Sequence, residues 1–165
     1  MNNKKIINYK IEDSIAIITL NRSPSNAFTI QFLDEILNSL TKASKDKSVK
    51  VVILESNIAK TFCAGLDLNI LIDKSSMEIR EFLNRLYIDL WDVQYNMGKP
   101  IIAAVNGAAR GGGMTLAISC DMIIASDNAS FGYPEINLGL LPAIHFNHLP
   151  RIVGRYNAFE LLFSG

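Results

Sequence analysis

The sequence predicts an α/β layered fold, on three observations. Short apolar runs recur at 14–20, 49–56, 100–105 and 121–126, the signature of strands. Between them lie stretches whose apolar residues repeat at helical spacing. Turn signals separate the two kinds of segment, with no low-complexity run and no linker, so strands and helices alternate along the chain. With 165 residues, 49% hydrophobic and 19% charged, residues 1–165 are expected to form one domain with its own core.

The elements follow in order. "SIAIITL" (14–20) reads as a buried strand, and "NRSPSNAF" (21–28) as a turn-rich loop. From 29 to 43, Leu33, Ile36, Leu37 and Leu40 mark a helix. "VKVVILES" (49–56) is a second strand, and "NIAKTFCAGLDLN" (57–69) a loop with one internal glycine. Ser75 and Glu78 have the spacing of a capping box. They open a long helix with the stripe Ile79, Phe82, Leu83, Leu86, Leu90, Val93, Met97, stopped by Gly98 and Pro100. "PIIAAV" (100–105) is the third strong strand, "MTLAISC" a short helix and "DMIIAS" (121–126) a further strand. The tail from Pro142 alternates turn signals with helical patches. It ends on an apolar helix and a glycine, which raises the expectation that more chain follows.

Composition excludes several classes. Sixteen basic residues balance sixteen acidic ones, so there is no electrostatic footprint for nucleic acid or an acidic membrane. Two cysteines make no disulfide framework. The polar start "MNNKKIINYKIED" lacks the apolar centre of a signal peptide. No run approaches the roughly 20 apolar residues of a membrane helix. The expected location is the cytoplasm, with no metal site.

Three features could carry chemistry. In "VNGAARGGGMTLAISCD" (105–121), three consecutive glycines precede a helix, although glycine costs about 1 kcal/mol relative to alanine inside one. Strand, glycines and helix together present unpaired N–H groups at the positive end of a dipole, suited to a phosphate or a developing oxyanion. No Gly-Lys-Ser/Thr follows, and the GxGxxG spacing is absent. Alone, the triple glycine reads equally well as a tight turn. "TFCAGLDL" (61–68) is a second place for close backbone approach, or a plain turn. In "FGYPEINLGLLP" (131–142), Glu135 follows Pro134 amid apolar residues. Such a carboxylate is expected to be desolvated, with a raised pKa suited to proton transfer; a glutamate serving a helix dipole is the bland alternative.

In order and spacing these segments resemble the crotonase superfamily, the enoyl-CoA hydratase/isomerase family. The likeness rests on "NRSPSNAF", "FCAGLDL", "KPIIAAVNGAARGGGMTLAISCDMIIAS" and "FGYPEINLGLLP", and covers nearly the whole chain. It implies a crotonase-like spiral of β-β-α units and an enzyme acting on an acyl-CoA thioester. No cofactor is implied beyond coenzyme A as part of the substrate. Two backbone amides would hold the thioester oxygen, by motif position those of Leu66 and Gly112. Side chains at 111–113 would obstruct that arrangement. For the CoA and substrate contacts the resemblance points to Ser25, Asn26, Ala27, Ala64, Gly65, Leu66, Asp67, Gly111, Gly112, Pro134 and His145, with Asp67 bracing its own loop.

Hydratases of this family use two glutamates, where this chain has Thr115 and Glu135. Threonine can hydrogen-bond a water but is no carboxylate base. One glutamate at the second position is similar to the family's enoyl-CoA isomerases, in which a single carboxylate shuttles a proton. Isomerase-type chemistry through Glu135 is therefore the leading expectation. A hydratase with an altered site, or a non-catalytic fragment, are the alternatives. The family's glycine-rich run after "LGL" is replaced by "PAIHFNH", which should reshape the acyl pocket. His145 and His148 are either ordinary wall residues, or His145 adds a polar group for a hydrolase-like or decarboxylase-like variant. Arg110 reads as a solvated or salt-bridged surface group. The resemblance also implies a homotrimer or a hexamer, built with C-terminal helices absent from this chain.

Overall fold

The computed structural model describes residues 5–165, apart from the side chain of Ala143. Its larger sheet has five strands in the order β1-β2-β3-β5-β7: β1 (Ile7–Glu12), β2 (Ile15–Leu20), β3 (Val51–Ser56), β5 (Ile101–Val105) and β7 (Met122–Ala125). β1 pairs antiparallel with β2, and every other neighbour is parallel. The four strands expected from the sequence are present, parallel and adjacent. β1 was not expected. Its alternation of apolar and polar residues buries Ile7, packs the half-buried Tyr9 against the core and leaves the other four residues exposed.

A smaller sheet carries β4 (Thr61–Cys63), β6 (Ala108–Arg110) and β8 (Ser130–Gly132), again all parallel. The two sheets advance in step. β3 is followed by β4, β5 by β6, and β7 by β8, with helical chain after each pair. This is the spiral of β-β-α units that the resemblance implies.

The helices are α1 (Ile30–Lys45), α2 (Ser76–Asn84), α3 (Leu90–Tyr95), α4 (Gly112–Ile118), α5 (Ala143–Val153) and α6 (Arg155–Ser164). None of the described helices is long and apolar enough to cross a membrane. Thr29 caps α1 by accepting from the Phe32 N–H at 3.2 Å. Its stripe of Phe32, Leu33, Ile36 and Leu40 is fully buried with Ile18, Leu20 and Leu54 in the main core. At its C-terminal end, Lys99 Nζ donates to the carbonyls of Ala43, Ser44 and Asp46 at 2.6, 2.9 and 2.6 Å. The capping box at Ser75 and Glu78 is present.

The long helix departs from expectation in one respect. A π turn, Arg85–Asp89, separates α2 from α3. A π turn takes one residue more than an α turn, and one residue is about 100° of helix rotation. Downstream of it Leu90 and Met97 of the expected stripe stay buried. Val93, expected in the stripe, is half-buried, while the polar Gln94 is buried instead. Both cysteines are buried free thiols.

Candidate active site

The three chemistry-bearing segments each follow a strand of the smaller sheet. Ala64–Leu66 follows β4, Gly111 and Gly112 follow β6, and Pro134–Glu135 lies just beyond β8. Because these strands are parallel, their C-terminal ends point the same way. Carboxyl ends of parallel strands are where open α/β sheets bind ligands. Ala64, Gly65, Leu66, Gly111, Pro134 and Glu135 all line one cavity of about 740 Å³, while Gly112 is buried beside Gly111 and is not itself on that wall.

The Leu66 amide is set by a single parallel bridge between Phe28 and Leu66. The Phe28 N–H donates to Gly65 O at 2.7 Å, and the Asp67 N–H to Phe28 O at 3.0 Å. In such a bridge the flanking residues make the bonds, so the N–H of Leu66 points away from Phe28. Gly65, at φ +93°, holds the turn, and a Cβ there would stand 2.7 Å from Arg110 O and 3.4 Å from Gly112 N. The two glycine segments thus touch backbone to backbone. Among the described residues, neither the Leu66 nor the Gly112 N–H donates to a protein acceptor. Gly112 is the first residue of α4, so its amide is one that the helix leaves free.

Each glycine of the triplet has its own neighbour. Gly111, at φ +50°, lies under the Glu135 carboxyl group, and a Cβ there would stand 3.1 Å from the carboxyl carbon. At Gly112 a Cβ would crowd Leu66, Phe28 and Leu86 at 3.2–3.5 Å, and at Gly113 it would strike the Cys63 carbonyl. Glu135 sits in the first turn of a 3₁₀ helix, Pro134–Leu138. Its Oε2 is buried without a partner. Burial pushes the carboxyl above the usual carboxylate range, against a smaller opposing pull from a backbone hydrogen bond. Among the described residues Glu135 is the only carboxylate on the cavity wall. The rest is mostly apolar, from Leu68, Ile79, Leu83, Leu138 and Leu141.

Thr115 and His145 are not among the residues that line that wall. Thr115 is fully buried behind Gly111, and its hydroxyl meets His145 Nε2 at 2.9 Å. His145 faces a separate cavity of about 280 Å³ beside Trp91 and His148. Burial first, and then His148, push its imidazole down to about 4, so it is neutral near pH 7. Ser25, Asn26, Ala27 and Asp67 also lie off the wall. Ser25 O accepts from Ala64 N at 3.0 Å. Asn26 is buried, with its side-chain nitrogen on Ser56 Oγ and Phe62 O at 2.8 and 2.9 Å. Arg22 donates to Ala27 O at 3.0 Å and to Asp67 at 2.9 Å. Asp67 caps the turn Leu68–Leu71 through the Asn69 N–H. These residues brace the Leu66 segment. Arg110 is half-buried and donates to Ser130 Oγ at 3.0 Å, so it is not a freely solvated surface group.

Tyr87 was missed by the sequence reading. It lies on the π turn, lines both cavities and stands near Glu135, whose charge adds to burial in raising the phenol. A tyrosine beside an apolar stripe was the available signal, but the helical pattern assigned the stretch to packing.

The profile of the enoyl-CoA hydratase/isomerase family matches residues 10–165. Among curated relatives, a crotonyl-CoA hydratase from Syntrophomonas wolfei is 39% identical over 155 residues, 93% of this chain and 59% of the relative. A 2,3-dehydroadipyl-CoA hydratase from Escherichia coli is 38% identical over 156 residues, 93% of this chain and 60% of the relative. The chain thus spans about three fifths of the length of these relatives. The crystal structure of an enoyl-CoA hydratase from Bacillus anthracis aligns at TM-score 0.89 and 32% identity, covering 98% of this chain and 63% of that one. The crotonase fold is therefore shared, and with its profile matching from residue 10 to residue 165 the chain belongs to the enoyl-CoA hydratase/isomerase family.

Proposed function

We propose that this chain carries the reacting core of an enzyme that forms and quenches the enolate of an enoyl-CoA thioester. The amides of Leu66 and Gly112 are the donors to the thioester oxygen in this reading, and Glu135 is the acid–base group. The observation that carries it is the placement of one desolvated carboxylate over Gly111, beside two amides with no protein acceptor. Removing one donor of this kind typically costs about 2.7–4 kcal/mol of barrier.

With a 3-enoyl thioester, the Glu135 carboxylate takes a proton from C2. The electron pair moves to the thioester oxygen, giving a dienolate. Glu135, now protonated, returns the proton to C4, and the double bond comes to lie between C2 and C3. This needs one carboxylate, which is what the wall supplies. A second reading is hydration, favoured by the names of the similar proteins, which include a crotonyl-CoA hydratase. There Glu135 takes a proton from water as its oxygen bonds C3, and then protonates C2. The backbone around Ser25–Ala27 and Ala64–Leu66 is the proposed contact for the CoA portion. Assembly as a trimer or hexamer belongs to the same reading and is checked by sedimentation.

The test is paired turnover of a 3-enoyl-CoA and a 2-enoyl-CoA. Isomerisation consumes the first without net water addition, whereas hydration consumes the second. Glu135→Gln should lose about 10²–10⁴-fold on whichever is used while still binding acyl-CoA. Full activity of that variant on both would overturn the assignment.

A further inference from the structure

The Gly111 carbonyl and the Gly112 N–H are the two ends of one peptide unit. The carbonyl end is held twice by one residue. It accepts the Thr115 N–H at 3.0 Å and the Thr115 hydroxyl at 3.3 Å. That hydroxyl in turn meets His145 Nε2 at 2.9 Å, with Thr115 fully buried and His145 only 1% exposed. A hydroxyl has one proton to give. With it given to Gly111 O, His145 Nε2 is the donor and Nδ1 carries the lone pair. Three hydrogen bonds therefore act in series on the peptide whose N–H is the proposed donor to the thioester oxygen.

We infer that Thr115 and His145 are a positioning pair, holding and polarising the Gly111–Gly112 peptide so that its N–H binds the thioester oxygen. The inference rests on the enolate reading given above. Donors at a peptide carbonyl draw electron density through the amide and make its N–H a better donor. Linked hydrogen bonds strengthen one another by about 10–30% each. The imidazole is itself fixed. Its ring stands 4.8 Å from that of the fully buried Tyr133 and edge-on to Tyr87 at 5.8 Å. Through this contact α5 fastens the N-terminal turn of α4, which binds the imidazole to the glycine turn across thirty residues of chain.

The role assigned to the pair is positional and includes no proton transfer. His145 Nδ1 is buried without a hydrogen-bond partner in the protein. Thr115 and His145 also lie off the wall that Glu135 occupies. In this inference their effect reaches the substrate through the peptide, although Thr115 also stands beside the phenol of Tyr87, which lines the same cavity as Glu135.

The experiment uses 2,4-hexadienoyl-CoA, whose absorption shifts to longer wavelength when its thioester carbonyl is polarised, so binding is read without turnover. The unmodified protein should give a red shift. Thr115→Val keeps the shape and loses the hydroxyl. It should lose at least half of that shift, with kcat down about tenfold and KM within about twofold. Thr115→Ser should restore both. His145→Gln, which can place an N–H near the Nε2 position, should keep most of the shift, whereas His145→Leu should lose it. A full shift with Thr115→Val overturns the inference, as does a fall in kcat with no loss of shift. If Thr115→Val does not fold, equal shifts for His145→Gln and His145→Leu overturn it. Failure of the unmodified protein to shift the band overturns the thioester reading, and this inference with it.

Discussion

The two sheets differ in what they are for. In the larger sheet, β2, β3 and β5 bury alternate residues completely, among them Ala16, Ile18, Leu20, Val52, Leu54 and Ala103. The smaller sheet has strands of three residues each, and each leads into a segment of the cavity wall. The lesson is a division of labour. Apolar burial in one sheet supplies the stability that lets the other end its strands on glycines and an unpartnered carboxylate.

That division can be broken at either side. The largest expected effect is at the small-sheet end. Glu135→Gln should cost about 10²–10⁴-fold in turnover and leave thermal stability unchanged or raised. The sign follows from desolvation. The folded-state pKa lies above the unfolded value, so ionisation penalises the folded state, and that penalty develops as pH rises from the unfolded pKa to the folded one. Glutamine has no such penalty. Turnover that needs the carboxylate should rise with pH through the raised pKa. His145, pushed down to about 4, should add no limb between pH 5 and 8. A pH–rate profile and melting curves of both proteins check these statements.

On the other side, Leu54→Ala should cost about 2–5 kcal/mol of stability, since Leu54 is fully buried. Turnover per folded molecule should stay within about twofold. Denaturant unfolding with activity corrected for folded fraction separates the two. A large loss of intrinsic activity would break the proposed division.

Gly65→Ala tests the seam between the two glycine segments. The residue has φ +93°, and its Cβ would press on Arg110 O at 2.7 Å. Strain of this kind costs about 1–3 kcal/mol, and displacement of the Leu66 amide should lower kcat about 10–100-fold. Equal kcat in a folded variant would remove Leu66 from the oxyanion role. The smallest effect belongs to Thr29→Ala. Loss of this cap should cost about 1 kcal/mol and leave kcat untouched, as calorimetry and initial rates will read.

The same contrast governs how much was legible in the sequence. β2, β3 and β5 announce themselves because a strand in a covered sheet needs a run of β-branched residues; β7 carries the same kind of run, although as an edge strand it leaves Met122, Ile123 and Ile124 exposed. Strands such as Ala108–Arg110 are too short to show a period. They form because larger elements bring them side by side. β1 was hidden by a solvent-facing pattern, and the buried Gln94 by a π turn that no local signal marks. At the site, the glycines and Glu135 were legible from their motifs. The placement of Thr115 was not. Whether a hydroxyl faces a cavity or an imidazole depends on a helix thirty residues away.

The stepwise alternation of the two sheets also bears on the order of events in folding. The cavity takes one short segment after each of β4, β6 and β8, so it has no boundary until the third crossing is complete. Loops between such distant segments must close before any contact rewards them, which makes pairing of this kind slow. During refolding from denaturant, helical ellipticity and burial of Trp91 should return first. Capacity to bind acyl-CoA should return last and in a single phase, because no two of the three segments make a partial site worth occupying.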